Sequence, residues 1–288
     1  MSDQSQPATA GTAHPDKSGY DEYYKDNKTG IYPDVTSPDA LIERFSPRLK
    51  PFWEGGPPRG YMRAVAVERL MAAAEKLDRP LDQVRVLEAG CGNGALSVYL
   101  ASRGLNMFGV DVSTTAIESA RELAERVGVA DRCHFVDNSL EDTTLEPLSV
   151  DFVIGINSLH HFIKYRGVTG EFMRVMKPGA TAWFADPFGE NKLYHVFHDK
   201  EKMERLGDVI LTEPLVRDFF TGFDVTLTPV DWFTMLDKLN RKLLPKGMKP
   251  ALRKLSRLHF ALDRRISTSS RLALRLSGSI VTEARKPA

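Results

Sequence analysis

The sequence contains few cysteines and no long apolar segment. Cys91 and Cys133 are its two cysteines, too few for a disulfide framework and typical of a protein in a reducing compartment. No apolar run is long enough to span a bilayer, and no basic segment followed by an apolar stretch is found near residue 1. These absences predict a soluble, cytoplasmic protein.

Net charge is also nearly absent, at +1, but the charges are unevenly distributed. Residues 236–275 contain twelve Lys or Arg and two Asp, a net charge of +10 that leaves −9 for the rest of the chain. Within this segment apolar residues such as Leu255, Leu258 and Leu262 recur at helical spacing, and basic residues occupy the other positions. The pattern predicts a basic, amphipathic helical insertion.

Three roles fit such an insertion. It can cap a ligand pocket with its charges in solvent, or lie on anionic lipid, where each Lys or Arg adds about 1 kcal/mol. It can also contact nucleic-acid phosphates. We favour the cap, and because no aromatic-rich RNA-binding signature accompanies the charge, we expect no nucleic-acid partner. Peripheral membrane contact through residues 236–275 remains an open alternative.

The most informative motif follows an apolar run at residues 84–87. Glu88 comes next, and then Gly90, Gly92 and Gly94 precede a segment with helical composition, so the pattern predicts a strand, a sharp turn and a helix. Bare amides at a helix N-terminus attract anionic or oxygen-rich groups. Asp111 ends a second apolar run 17 residues after Gly94, where a carboxylate can accept hydrogen bonds from ribose hydroxyls. The two features together predict a nucleotide-like ligand.

The spacing of the glycines separates two families of ligand. Dinucleotide-binding sites favour Gly-x-Gly-x-x-Gly, whereas this chain has Gly-x-Gly-x-Gly preceded by Glu88. That pattern resembles the first motif of the class I S-adenosylmethionine-dependent methyltransferases. The resemblance continues from residue 81 to residue 186: residues 133–138 are similar to the third strand of the family, residues 150–162 to the fourth strand and its exit loop, and residues 173–180 to the turn before the fifth.

The resemblance implies an α/β fold with a doubly wound, Rossmann-like, mostly parallel sheet of seven strands. The predicted segments are a disordered tail at 1–20, an N-terminal helical lid at 21–80, a cofactor-binding core at 81–235, the helical insertion at 236–275 and the last strand at 276–288. Within them helices are predicted at Tyr61–Leu77 and Thr114–Val127, and the fifth strand at Thr181–Ala185. Tyr23 and Tyr24 in the lid are either a packed surface pair or aromatic contacts for a cationic centre.

S-adenosylmethionine is the cofactor that the resemblance implies. Glu88 would orient the glycine turn, Asp111 would bind the ribose, and Asp137 with Asn138 would hold the adenine. The full set of predicted cofactor-binding residues is Glu88, Gly90, Cys91, Gly92, Gly94, Asp111, Val112, Asp137, Asn138 and Asn157.

The segment after the fourth strand faces the acceptor in this fold, because ligands collect at the carboxyl ends of the strands. Histidine is the side chain best suited to take a proton near neutral pH, so His161 is the predicted catalytic base and His160 the alternative. Either histidine could instead cap the following helix or bond a carbonyl. This loop lacks the Asn/Asp-Pro-Pro-Tyr/Phe sequence of enzymes that methylate nucleic-acid amines, which argues against bases as acceptors.

These features predict methyl transfer to a hydroxyl group of a small organic acceptor, apolar or lipid-linked, in secondary metabolism. N-methylation of an amine or a peptide terminus is one alternative, and a regulatory protein that binds the cofactor without catalysis is another. No metal is expected, because His195 and His198 with Asp186 upstream provide too few ligands for zinc.

Overall fold

A computed structural model describes residues 14–26, 32–50, 60–189, 207–230, 274–275 and 277–288. The helices in these ranges are α1 (Lys17–Asp26), α2 (Pro38–Phe45), α3 (Gly60–Ala74), α4 (Ala95–Ser102), α5 (Thr114–Val127), α6 (Leu159–Phe162), α7 (Gly167–Val175) and α8 (Glu213–Phe219). The strands are β1 (Arg85–Ala89), β2 (Asn106–Asp111), β3 (Cys133–Asp137), β4 (Val150–Ile156), β5 (Met176–Pro187), β6 (Asp224–Val230) and β7 (Ser279–Arg285).

The seven strands form one sheet in the order β3-β2-β1-β4-β5-β7-β6. Strands β1 to β5 pair in parallel, and β7 runs antiparallel between β5 and β6. The chain order reverses between β1 and β4, because β1 has β2 on one side and β4 on the other. A reversal of this kind opens a crevice at the carboxyl ends of the strands, where ligands bind.

Helices cover both faces of the sheet, which explains why the central strands are apolar on both sides. Six of the seven residues of β4 are buried, and only the last is partly exposed, as expected for a strand between two helical layers. Val86 packs with Leu70 and Leu100 in one core cluster, while the adjacent Leu87 packs with Phe172 and Phe184 in the other. Neighbouring residues of a strand point to opposite faces, so β1 contributes to both clusters.

Helix α5 shows how local sequence sets an element. Its buried residues recur at helical spacing, the side chain of Ser113 accepts a hydrogen bond from Ala116 N at the start, and Gly128 ends the helix in the left-handed conformation. Its observed bounds, Thr114–Val127, are those that the sequence predicts.

The predicted fold class is confirmed, and the structure corrects several boundaries. Helix α1 begins at Lys17, inside the segment predicted as a disordered tail. Helix α3 ends at Ala74 rather than at Leu77. Strand β5 begins at Met176 rather than at Thr181, because Met176 pairs with Val150 before an irregularity in the register.

The predicted basic insertion, residues 236–275, lies outside the described residues except for Leu274 and Arg275. Its role therefore stays a prediction. Among the residues that the structure describes, no helix has the length and apolar composition needed to cross a membrane.

Gly94 provides a test of the packing beneath the glycine turn. It has φ +69°, and a Cβ there would lie 2.6 Å from Ala120 Cβ and 2.9 Å from Phe135 Cζ. We expect Gly94→Ala to lower the free energy of unfolding by about 3 kcal/mol, from left-handed strain and from overpacking.

Gly128→Ala is the matched control. Gly128 has φ +81°, and a Cβ placed on it would have no atom within 4 Å, so its substitution should cost only the strain, about 1 kcal/mol. Urea unfolding of both variants measures the difference. Equal losses would contradict the packing role of Gly94.

Candidate active site

A cavity of about 530 Å³ opens at the crevice between the loops that follow β1, β2 and β4. Its size is within the range of small-molecule sites, about 300 to 1,000 Å³. Among the predicted cofactor-binding residues, those that line it are Glu88, Gly90, Cys91, Gly92, Asp111, Val112 and Asn157. His160 and His161 line the same cavity, so the structure brings most of the predicted site together.

The glycine turn presents bare backbone because neighbouring groups fill the space of a side chain. A Cβ on Gly90 would lie 2.8 Å from Ser158 Cβ, and one on Gly92 would lie 2.5 Å from Tyr24 Oη. Gly94 does not line the cavity but packs against α5 and β3. Its place in the motif is therefore explained by packing.

Glu88 at the end of β1 is 4% exposed. Its carboxyl oxygen Oε2 accepts a hydrogen bond from Ser97 Oγ of α4 at 2.5 Å. Burial raises the pKa of Glu88 to about 8, although the contact with Ser97 acts in the opposite direction. The carboxyl group therefore keeps its proton at neutral pH unless a positive charge comes close.

Asp111 at the end of β2 connects the glycine turn to the next loop. Its Oδ2 accepts a hydrogen bond from Gly92 N at 2.9 Å, and its Oδ1 accepts one from Ser113 N at 3.0 Å. Burial raises the pKa of Asp111, and these two backbone donors oppose that shift. Because a carboxylate oxygen can accept more than one hydrogen bond, both oxygens remain available to ligand hydroxyls.

Asp137 and Asn138, the residues predicted to hold adenine, do not line the cavity. Asp137 is exposed and accepts a hydrogen bond from Thr114 Oγ1 at 3.0 Å. Asn138 Oδ1 accepts one from Ser139 N at 2.8 Å. Ser139 and Leu140 line the cavity instead, and the role of Asp137 and Asn138 stays a prediction.

Helix α1 crosses the cavity from one rim to the other. On the β2 side, Asp21 Oδ1 accepts hydrogen bonds from Ser113 Oγ at 2.7 Å and from Thr115 N at 3.2 Å. On the β4 side, just before the helix, Asp16 accepts a hydrogen bond from Tyr165 Oη at 2.7 Å and pairs with Lys164 at 3.0 Å. The helix therefore covers the cavity, the position predicted for a lid.

Tyr20, Tyr23 and Tyr24 of α1 all line the cavity. The rings of Tyr23 and Tyr24 pack edge to face, with centroids 5.2 Å apart, and the ring of Tyr20 lies 5.4 Å from that of His161. The two tyrosines are thus a packed pair that also lines the cavity, and their contact with a cationic centre stays a prediction.

Each histidine of α6 is bonded to a carboxylate. His160 Nδ1 lies 2.6 Å from Asp186 Oδ1, and His161 Nδ1 lies 2.5 Å from Asp208 Oδ1. Asp186 is fully buried at the end of β5. Such a bond fixes the orientation of an imidazole ring and stabilises its protonated form.

The surroundings of His161 favour its neutral form. Burial lowers the pKa of His161, and the hydrogen bond to Asp208 opposes this shift only in part. At neutral pH the ring is therefore unprotonated at one nitrogen, as a general base requires.

Asp208 is a residue of the candidate site that the sequence did not reveal. It follows His161 by 47 positions in a segment without a motif, so only the tertiary fold brings the two residues together. Asp16 was missed for a similar reason, since it lies in the segment predicted to be disordered.

His160, His161 and Asp208 are also the described residues close enough to share a metal ion, with one ligand atom of each within 4.8 Å of the others. Three ligands satisfy a catalytic zinc site. However, the Nδ1 atoms are engaged with carboxylates, so the prediction of no metal remains to be tested.

Comparison with known proteins identifies the domain. Residues 87–184 match the family described as methyltransferase domain. The chain is 31% identical over 139 residues to O-methyltransferase rstn1 of Aspergillus nomiae, an alignment that covers 48% of this chain and 61% of that protein. It is 31% identical over 106 residues to sterol 4-C-methyltransferase strm-1 of Caenorhabditis elegans, covering 37% and 31%. The chain thus spans less than two thirds of these curated relatives.

A solved structure shows the same fold. Geranyl diphosphate C-methyltransferase from Streptomyces coelicolor A3(2) aligns with a TM-score of 0.61 at 14% identity, over 96% of this chain and 100% of that one. Residues 87–184 of this chain thus carry a methyltransferase domain, and the predicted enzyme class is confirmed for that domain. S-adenosylmethionine stays the predicted cofactor.

The protonated Glu88 leads to a prediction for cofactor binding. S-adenosylmethionine is cationic, and a positive charge close to Glu88 would lower the pKa of the carboxyl group below neutral. We expect binding at pH 7 to release up to about one proton per site. Calorimetry in buffers of different ionisation enthalpy measures the release, and Glu88→Gln should abolish it. An enthalpy that does not depend on the buffer would contradict this expectation.

A second prediction concerns the metal. Since both Nδ1 atoms are bonded to carboxylates, we expect excess chelator to leave the release of S-adenosylhomocysteine unchanged within about twofold, well below the 10²-fold or larger effect expected from losing a catalytic group. The assay uses enzyme, cofactor and a cell extract that supplies the acceptor. A loss of turnover that added magnesium restores would overturn the prediction.

Proposed function

We propose that this protein transfers a methyl group from S-adenosylmethionine to a hydroxyl group of a small organic molecule, with His161 as the general base. One observation carries the proposal. The His161–Asp208 pair, joined at 2.5 Å, lines the same cavity as the glycine turn that precedes α4.

The residues of the cavity suit the proposed cofactor. The backbone of Gly90, Cys91 and Gly92 would lie against the methionine and ribose parts, and Asp111 with Val112 would bind the ribose. Asn157 has φ +52°, and its buried Oδ1 lacks a partner among the described residues. A strained backbone and an unpaired polar atom at a cavity are features that a ligand can compensate.

When bound, the cofactor supplies an electrophilic methyl group on a cationic sulfur. The task of the chain is to hold the acceptor and remove its proton. His161, neutral at its second nitrogen, can take the hydroxyl proton as the oxygen becomes nucleophilic, and Asp208 stabilises the imidazolium that forms. Helix α1 above the cavity limits the access of water to these groups.

The carboxylate-bound histidine supports a hydroxyl over an amine. A hydroxyl oxygen needs help to lose its proton, whereas a neutral amine can attack with its lone pair and release the proton afterwards. The name of one relative, O-methyltransferase rstn1, agrees with methylation of oxygen. The name of another, sterol 4-C-methyltransferase strm-1, means that methylation of carbon must also be tested.

Product analysis tests the proposal. The protein is incubated with trideuteromethyl-labelled S-adenosylmethionine and cell extract, and the labelled products are identified by mass spectrometry. We expect the label on oxygen of a small molecule. A label on nitrogen, on carbon or on a peptide terminus would overturn the choice of atom, and the absence of any labelled product would favour a regulatory protein.

His161→Gln tests the base. We expect turnover to fall by about 10² to 10⁴-fold, the usual contribution of a general base, with the affinity for S-adenosylhomocysteine nearly unchanged. His134→Gln is the matched control, because His134 is exposed on β3 and stacks on Phe108 away from the cavity. A His161 variant with almost full turnover would remove this residue from the mechanism.

The pH dependence follows from the lowered pKa of His161. The base is neutral above its pKa, so activity should rise with pH below 6.5 and reach a plateau by about pH 7. Asp208→Asn removes the partner that raises the pKa, so the rise should move to lower pH while the plateau falls. A profile that stays in place in Asp208→Asn would show that this pair does not set the titration.

A further inference from the structure

A series of polar contacts connects helix α1 with the candidate base. Asp16, directly before α1, pairs through Oδ2 with Lys164 Nζ at 3.0 Å. The same ammonium group donates a hydrogen bond to the carbonyl oxygen of Gly207 at 3.0 Å. Gly207 precedes Asp208, whose Oδ1 lies 2.5 Å from Nδ1 of His161. The contacts therefore lead from the helix that covers the cavity to the imidazole that we propose as the base.

Asp16 is tied to α1 by its own backbone. Its carbonyl oxygen accepts a hydrogen bond from Tyr20 N, in the first turn of the helix, at 3.1 Å. The ring of Tyr20 in turn lies 5.4 Å from that of His161. The position of α1 over the cavity therefore decides whether the carboxylate of Asp16 reaches Lys164.

Asp208 is held in place through both of its neighbours in the sequence. Val209 N donates a hydrogen bond to the carbonyl oxygen of His160 at 2.9 Å, which ties this segment to α6. On the other side, Lys164 holds the carbonyl oxygen of Gly207. A Cβ on Gly207 would lie 2.5 Å from Lys164 Nζ, so the close approach of the ammonium group depends on a glycine at this position.

We propose that Lys164 is a positioning residue, whose ammonium group holds Asp208 against His161. It does so while Asp16 keeps α1 over the cavity. An ammonium group on a flexible stem is strongly hydrated, so without the carboxylate of Asp16 it returns to solvent and releases the carbonyl of Gly207. The inference rests on the proposed function, in which His161 removes the acceptor proton.

The exposure of the ion pair suits a contact that opens and closes. The side chains of Lys164 and Asp16 are 29% and 20% exposed, and a pair in contact with solvent is weak. It can therefore break when α1 detaches. The consequence is that the base is complete only in a covered cavity, where water is kept from the reacting groups.

The pKa of His161 in the full chain, followed by NMR, tests the positioning without any acceptor. The contact with Asp208 raises this pKa, so Lys164→Met should lower it as Asp208 moves away. Loss of the lysine charge by itself would act in the opposite direction and raise the pKa. A rise or no change would overturn the proposal. The substitution leaves intact the other ionisable groups around the ring, which include His160, Asp186, Asp111 and Tyr20.

Three further variants separate position from charge. Gly207→Ala keeps every charge but places a methyl group against Lys164 Nζ, so it should also lower the pKa of His161. Lys164→Arg should restore the wild-type value, because a guanidinium can donate to both the carbonyl and the carboxylate. Arg166→Gln is the matched control, since Arg166 forms an exposed pair with Asp218 in the same loop, and it should change nothing. A lowered pKa in the control would show that any charge in this loop has the same effect.

Turnover tests the connection to α1. The release of S-adenosylhomocysteine, with a cell extract as the source of acceptor, should fall about tenfold in Lys164→Met, a size typical of coupling between two sites. The affinity for S-adenosylhomocysteine should stay within about twofold, far less than that tenfold. Asp16→Asn should also lower turnover, and the double variant should be no slower than Lys164→Met, because both residues act through one series of contacts. Losses that multiply would show independent roles and overturn the coupling.

His161→Gln distinguishes this inference from the proposed function. In that background Lys164→Met should cause no further loss of turnover, because no base remains to be positioned. A further loss of about tenfold would assign Lys164 to another task. Full turnover in His161→Gln alone would refute the proposed base, whereas an unchanged pKa of His161 in Lys164→Met would refute only its positioning.

Discussion

Parallel strands bring acidic side chains together at one edge of the sheet. Because these carboxyl groups lie away from water, each of them needs a polar partner within the protein. Glu88, Asp111 and Asp186 end three different strands and are buried or nearly so. An uncompensated buried charge is costly, so each carboxyl has a different partner: a serine hydroxyl, backbone N–H groups and an imidazole. Burial keeps Glu88 protonated in spite of its serine partner, whereas Asp111 holds the backbone of the glycine turn and Asp186 orients a histidine.

The elements whose conformation is set by residues close to one another in the sequence could be predicted. Helix α5 has a capping serine, helical spacing and a terminal glycine within one segment, and its bounds were predicted correctly. The turn from Gly90 to Gly94 was also predicted, because its positive φ angles are required locally. The seven-stranded, mostly parallel sheet followed from the resemblance to a known class, whose connections allow few arrangements.

The contacts between distant segments could not be predicted in this way. Asp208 belongs to no motif, and it lies beside His161 although 47 positions separate the two residues in the sequence. Asp137 ends its strand as Asp111 does, yet it is exposed at an outer strand, so the similarity of the two sequences conceals a difference in position. Gly94 shows the converse, because a residue of the motif turned out to contact α5 rather than the cavity.

The polar contacts at both ends of α1 have a consequence for the catalytic cycle. A molecule beneath this helix is covered on the α1 side while Asp21 holds Ser113 and Asp16 holds Lys164 and Tyr165. Under the proposed function, spent cofactor would leave on this side only after the helix detaches, and the interval between successive turnovers would then depend on that detachment as well as on the chemical step. Since salt screens an ion pair near the surface, ionic strength would alter the residence time of the product without any change at the reacting atoms.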